Sequence, residues 1–270
     1  MEAVAPLSGG QIGIVRLGER PYEEMSEAQA ALVERRRAGD TGDLLLLLEH
    51  PPTYTKGRRT EPADLLRPPE HYAERGIAVR DTPRGGKVTY HGPGQLIVYP
   101  VIDLRGIGDQ PDGVDRIDVA HFVASLERAM SAALARWEVT AAPIEGLTGL
   151  WVSRGEAIPA GATAASMAAA VVTGEVRKIG SIGLRISRGV SSHGLSLNVD
   201  CDLAPFDDIT SCGIEQCRVT SLALETGAAA PSVDEVGTAV CEELASLLKR
   251  DAVAIEPSAA GLDPAVTATP

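Results

Sequence analysis

The sequence predicts an α+β fold, a mixed β-sheet flanked by helices, and three observations carry that expectation. Segments with strand and helix patterning follow one another without strict β–α–β alternation. Two long stretches, residues 118–137 and 232–248, place apolar side chains at helical spacing. Hydrophobic residues make up 44% of the 270 but aromatic ones only 3%, so a core must be built from Leu, Val, Ile and Ala. Length and patterning predict one domain over residues 11–250, with a mobile insertion at 157–175 and a disordered tail at 251–270.

Taken in order, residues 11–17 alternate apolar and polar, as a half-buried strand does. Pro21 opens a helix whose positions Met25, Ala28, Leu32 and Val33 share a face. It ends at Arg35-Arg36-Arg37-Ala38-Gly39, where the helix dipole favours cations. Residues 43–49 read as a Leu-rich strand covered on both faces. Residues 50–59 begin with His50-Pro51-Pro52 and end with Gly57-Arg58-Arg59, and predict a structureless loop of the kind that often carries function. Residues 96–103 are a strand. In the helix at 118–137, Val119, Phe122, Val123, Leu126, Met130 and Leu134 form the core face. Strands follow near 141–144 and 148–152.

The insertion has eight alanines, Pro159, two glycines and no aromatic residue, which predicts a loop in a hairpin with a weakly helical centre at 164–170. Residues 176–187 and 191–198 read as strands joined by Arg188-Gly189-Val190, and 203–209 as a turn or short helix. Ser232, with Glu235 three residues on, caps the last helix.

A net charge of −12 excludes a general nucleic-acid binder. An acidic partner would have to dock on a local cluster such as Arg58, Arg59, Arg84 and Lys87. The apolar runs are too short for a membrane-spanning helix, and residues 1–10 lack the features of a signal peptide. The four cysteines, at 201, 212, 217 and 241, form no CxxC pair, and none of the five histidines pairs with cysteine at zinc spacing. The expectation is a cytoplasmic protein with free thiols, no metal, no cofactor and no membrane partner.

Residues 84–95 read Arg-Gly-Gly-Lys-Val-Thr-Tyr-His-Gly-Pro-Gly-Gln. A hairpin connection explains the glycines alone, because they allow turns and close backbone approach. It does not require Arg84, Tyr90, His91 and Gln95 around them, and that combination points to the wall of a binding site. Three more polar islands interrupt the second half: Lys178-Ile179-Gly180-Ser181-Ile182-Gly183, Ser192-His193-Gly194-Leu195-Ser196 and Ser211-Cys212-Gly213. A lone Lys in a strand usually meets solvent and a lone Cys is usually a small buried hydrophobe. The glycines beside Lys178 and Cys212 leave backbone approachable at both.

In these blocks the chain resembles the octanoyl-[acyl-carrier-protein]:protein N-octanoyltransferase family of lipoate biosynthesis. The matching parts are His50-Pro51-Pro52 through Gly57-Arg58, residues 84–95, Lys178-Ile179 with Ser181-Ile182-Gly183 and His193-Gly194, and Cys212-Gly213 followed by Val219-Thr220-Ser221. With their flanks they cover residues 12–248 in the family's order. The resemblance implies a fold like that of biotin and lipoate protein ligases. It implies Cys212 as the acyl-thioester nucleophile and Lys178 as its dyad partner. It further implies a substrate site lined by Arg84, Gly85, Gly86, Lys87, Val88, Thr89, Tyr90 and His91, by Ser181, Ile182 and Gly183, and by Gly194, Leu195 and Ser196. Tyr90 reads equally as pocket wall or core. His91 and His193 read as groups that orient the incoming amine or donate to the acyl carbonyl, or as structural histidines. The implied partners are acyl carrier protein as octanoyl donor, and as acceptors the lipoyl domains of 2-oxoacid dehydrogenases and the glycine cleavage H protein. Ser211 stands where the family commonly has proline.

The chemistry of the residue types agrees. The thiolate is the nucleophile, and a free Cys with a pKa of about 8.5 is only a few per cent ionised at neutral pH. A nearby cation that lowers it by about two units, at roughly 1.4 kcal/mol per unit, makes most of it thiolate. An ATP-dependent lipoate or biotin ligase of the same fold, a binding module without turnover, and a cysteine hydrolase using His193 and Cys212 remain open alternatives.

Overall fold

The computed structural model describes residues 7, 10–105, 107, 117–210, 217–227 and 230–262. The strands are β1 (Gln11–Glu19), β2 (Asp43–Glu49), β3 (Thr53–Lys56), β4 (Ala78–Asp81), β5 (Thr89–His91), β6 (Gln95–Val101), β7 (Ala141–Ile144), β8 (Leu147–Ser153), β9 (Val176–Ser187), β10 (Val190–Asn198) and β11 (Asp251–Ile255). The helices are α1 (Tyr22–Ala38), α2 (Pro69–Glu74), α3 (Val119–Ala135), α4 (Ala164–Thr173), α5 (Leu222–Thr226) and α6 (Val233–Leu247). One sheet has eight strands in the order β11-β1-β2-β6-β10-β9-β8-β7, and a second has three in the order β4-β3-β5. In the large sheet β1 runs parallel to β2 and β11, and the other pairs are antiparallel, so the sheet is mixed as expected.

The run of five leucines in β2 shows why this sheet is covered on both faces. Successive strand side chains point to opposite sides. Leu45 and Leu47 therefore enter a core with Phe122, Leu126 and Met130 of α3 and Val240 and Leu244 of α6. Leu44, Leu46 and Leu48 face Met25, Leu32 and Val33 of α1. Asp118 caps α3 by accepting from the His121 N–H, and Ser232 and Glu235 form a capping box on α6. Gly39 ends α1 in the left-handed conformation after the three arginines.

Two expectations need correction. Residues 50–59 are not structureless: Thr53, Tyr54 and Thr55 are strand formers, and β3 pairs with both β4 and β5 around a small core of Tyr54, Tyr72, Tyr90 and Phe206. Within 157–175 the expected helical centre is α4, ten residues long, started by the Thr163–Ser166 capping box and packed through Val171 on Trp151 and Val176. Residues 251–255, expected in the tail, form the edge strand β11. Its backbone pairs with β1, and the short helix after it (Pro257–Ala260) is held by Arg35 Nη1 donating to the Ala260 carbonyl at 2.6 Å. Residues 263–270 lie outside the described residues. Among the described residues no helix is long and apolar enough to cross a membrane.

Truncation after Arg250 is expected to lower unfolding free energy by about 2–4 kcal/mol, since it strips the partner from β1 and exposes its edge. Urea unfolding of the truncated chain checks this; an unchanged midpoint would mean β11 contributes nothing.

Candidate active site

A cleft of about 400 Å³ opens where the two sheets meet. One wall is the segment that leads from β4 into β5. Gly85 N–H donates to the Leu184 carbonyl at 2.8 Å, docking this segment on β9. On its other side Gly57, at the end of β3, comes so close that a Cβ there would lie 2.4 Å from the Gly86 carbonyl oxygen. Only glycine permits that approach. The second wall is β9 paired with β10, in the register Ser181↔Ser196, Ile182↔Leu195 and Gly183↔Gly194. Two of the polar islands thus face one cleft as a single ladder across one hairpin.

Of the sequence-predicted lining residues, Arg84, Gly85, Gly86, Lys87, Val88, Thr89, His91, Ser181, Ile182, Gly183, Gly194, Leu195 and Ser196 all line it, as do Lys178 and His193. Tyr90 does not. Strand alternation aims Thr89 and His91 at the cleft and turns Tyr90 to the opposite face, where its ring meets Tyr54 and Phe206, each at 5.6 Å between centroids. The expected basic docking cluster also divides. Arg84 is 7% exposed and turned inward, while Lys87 is tied to Asp64 at 2.9 Å and Glu61 at 3.5 Å. Arg58 and Arg59 are exposed, and Arg59 stands on the cleft rim.

Beneath the cleft runs a directional hydrogen-bond chain. Gln95 spends both amide hydrogens on the Tyr90 carbonyl (3.1 Å) and Asn198 Oδ1 (2.9 Å). Its Oε1 must therefore accept, so His91 donates from Nδ1 at 2.7 Å. His91 Nε2 is then an acceptor, and the Thr55 hydroxyl donates to it at 3.2 Å while accepting from Arg84 Nη2 at 2.8 Å. Asn198 passes the chain on, donating to the Thr220 carbonyl at 2.9 Å. Burial holds His91 neutral, with its pKa pushed down to about 3; His50 and Arg84 add to the effect. His193 is 4% exposed, and burial and Arg84 bring its pKa to about 4. It sits at φ +55°, and its Nδ1 has no hydrogen-bond partner among the described residues.

Lys178 is 3% exposed. Its Nζ donates to the Thr148 carbonyl at 2.8 Å and lies 5.3 Å from the centre of the Trp151 ring. The β8–β9 register shifts here, with Leu150 opposite Gly180 but Trp151 opposite Lys178, a bulge that re-aims the lysine. Its own backbone bonds Arg218 O and Thr220 N, each at 2.9 Å, so residues 218–220 are stitched to it. Cys212, the expected nucleophile, lies outside the described residues together with Ser211 and Gly213. Among the described cysteines, burial pushes the Cys201 and Cys241 thiols up to about 12, far from thiolate.

Other lining groups escaped the sequence reading. Tyr22, Tyr99, Thr148, Asn198 and Phe206 come from five different elements or connections, and no local pattern unites them. Among the described residues lining the cleft, Arg59, Arg84, Lys87 and Lys178 are cationic and none is a carboxylate, in a chain of net charge −12.

Comparison with known proteins shows the family and the fold. Residues 21–245 match the family model of the lipoyl protein ligase A/B catalytic domain. An octanoyltransferase of Acidobacterium capsulatum is 40% identical over 214 residues, 79% of this chain and 80% of that protein. One from Mycobacterium sp. (strain KMS) is 39% identical over 255 residues, 93% of each chain. Among solved structures, lipoate-protein ligase A bound with ATP superposes with a TM-score of 0.63 over 93% of both chains at 19% identity, which shows a shared fold.

His50 is likewise depressed by burial to about 4. In the unfolded chain these three histidines, at about 6.5, take protons first, so stability is greatest above that pH and falls toward pH 4. The expected slope is about 1.4 kcal/mol per pH unit for each histidine. Urea unfolding at pH 7 and pH 5 is expected to differ by several kcal/mol; equal midpoints would mean the histidines titrate normally.

Proposed function

From membership of the octanoyltransferases in the lipoyl protein ligase A/B catalytic-domain family, to which this chain belongs, we propose that it moves an octanoyl group from acyl carrier protein to a specific lysine of lipoyl domains. Those of 2-oxoacid dehydrogenases and the H protein of glycine cleavage are the acceptors. The observation that carries the reading is Lys178, a buried cation at one cleft with the glycine-rich wall 84–89 and the paired strands β9 and β10.

Cys212 attacks the carrier thioester: its sulfur bonds the acyl carbon, the carbon–sulfur bond to the carrier breaks, and the Lys178 ammonium protonates the departing thiolate. The target lysine's nitrogen then bonds the acyl carbon, and the bond to Cys212 breaks. Neutral Lys178 takes the nitrogen's proton, restoring the starting state. Thioester to thioester is nearly isoenergetic and thioester to amide is downhill, so no nucleotide is consumed. The cationic lining and the backbone N–H groups of the glycine-rich wall suit the oxyanion formed in both steps. Val88, Ile182, Leu184 and Leu195 supply apolar surface for an acyl chain. Neutral His193 is a hydrogen-bonding group for the acyl carbonyl or incoming amine.

The shared fold with an ATP-binding ligase makes nucleotide dependence the discriminating measurement. Octanoyl-carrier thioester mixed with the protein, without nucleotide, is expected to add one hydroxylamine-labile octanoyl group by intact mass. An ATP requirement would sink the transferase reading. Cys212→Ala is expected to abolish the adduct. Lys178→Ala is expected to slow both half-reactions by at least about 100-fold with an unchanged circular dichroism spectrum; a wild-type rate would remove Lys178 from the mechanism.

A further inference from the structure

We propose that Glu127, on α3, is a positioning residue for Lys178, acting through the single peptide unit between Thr148 and Gly149. The inference rests on the catalytic reading of Lys178 above. Glu127 Oε1 accepts the Gly149 N–H at 3.1 Å, and the Thr148 carbonyl accepts Lys178 Nζ at 2.8 Å. That N–H and that carbonyl belong to the same peptide plane. The anion therefore sits at the positive end of the peptide dipole and the ammonium at its negative end. Each hydrogen bond polarises the other, and both are charge-assisted.

The backbone is built to hold this orientation. Gly149 has φ +115°, a conformation that side-chain-bearing residues rarely adopt. A Cβ there would lie 2.4 Å from the Gly180 carbonyl oxygen and 2.7 Å from Lys178 Cε. Removing the side chain lets the peptide turn its carbonyl toward the lysine and lets the lysine stem pass. Glu127 itself does not line the cleft. It lines a neighbouring groove of about 320 Å³ that shares Gly146 and Thr148 with the cleft. The carboxylate is half-buried and its pKa is raised: burial pushes it up, and the Gly149 N–H and the Lys178 charge offset that only in part.

Among the described residues, the other charged or titratable side chains on the cleft are Arg59, Arg84 and Lys87, the neutral histidines 91 and 193, and the phenols of Tyr22 and Tyr99. None of these is a carboxylate. The second carboxylate on the neighbouring groove is Glu145. Through the Thr148–Gly149 peptide Glu127 is placed to set where the ammonium points, with its negative charge behind the Thr148 carbonyl.

The test is the pH–rate profile of acyl-adduct formation from octanoyl-carrier thioester, read with circular dichroism of each variant. Glu127→Gln keeps an oxygen for the Gly149 N–H and removes the charge. Its basic limb is expected to move down by about half to one pH unit, with a near-normal rate at the optimum. Glu127→Ala removes both and is expected to lower kcat by about tenfold with KM little changed. Glu145→Gln is expected to track the wild type. A Glu127→Gln profile that superimposes on the wild type, beside an inactive Lys178→Ala, overturns the relay alone; an active Lys178→Ala overturns it together with the catalytic reading. Equal shifts in the Glu127 and Glu145 variants would replace the relay with a general field and overturn it too. If Glu127→Ala fails to fold, the near-isosteric Gln variant decides.

Discussion

The hydrogen-bond chain from Arg84 through Thr55, His91, Gln95 and Asn198 to the Thr220 carbonyl is the constraint on which the site depends. Every member is buried, so each donor must meet an acceptor or lose its hydration without return. Gln95 has one orientation that satisfies Tyr90 and Asn198 together, and that choice dictates the tautomer of His91 and the direction of the Thr55 hydroxyl. The chain crosses from the small sheet (β3 and β5) to the large one (β6 and β10). It ends on Thr220, whose N–H bonds the Lys178 carbonyl. The cleft wall at 84–91 and the lysine opposite are therefore held in one network.

The same burial that demands satisfied hydrogen bonds sets the electrostatics. Arg84 is an internal cation, and it joins desolvation in depressing His91 and His193. Neutral imidazoles can donate or accept without repelling Lys178 or Arg84. Among the described residues the cleft carries cations and no carboxylate, although the chain as a whole is strongly acidic. In the proposed reaction a developing oxyanion would meet a locally positive, low-dielectric surface, where charge stabilisation is worth most. Glu127, the nearby anion, is kept behind a peptide plane and out of the cleft.

Most of the large sheet was legible in the sequence because its signals are local. The Leu-rich β2, the helical faces of α3 and α6, and the Ser232–Glu235 box each lie within one continuous segment. The small sheet was not legible: β3 and β4 have four residues each, and their pairing is long-range, so prolines at 51 and 52 read as loop. Strand β11 was missed for the same reason, since its mostly exposed residues carry little apolar pattern and its edge pairing with β1 decides its state. Tyr90 shows a finer limit. Its neighbours 89 and 91 line the cleft and it does not, because which face a strand residue takes is settled by the register of β5 against β3.

What the sequence by itself determined is the mixed α+β class, the glycine-rich wall, the islands around Lys178 and His193, and membership of a family through their order. These follow from residue types whose chemistry needs no partner to be recognised. Tertiary structure alone decided that residues 84–89 meet Ser181–Ser196 pairs across a cleft, that Arg84 is internal, and that the Thr148–Gly149 peptide faces Lys178. The physical reason is that burial and hydrogen-bond direction arise between separate segments, with |i−j| of 29 for Arg84 and Thr55, 30 for Lys178 and Thr148, and 103 for Gln95 and Asn198. No single stretch of chain encodes such a pairing on its own.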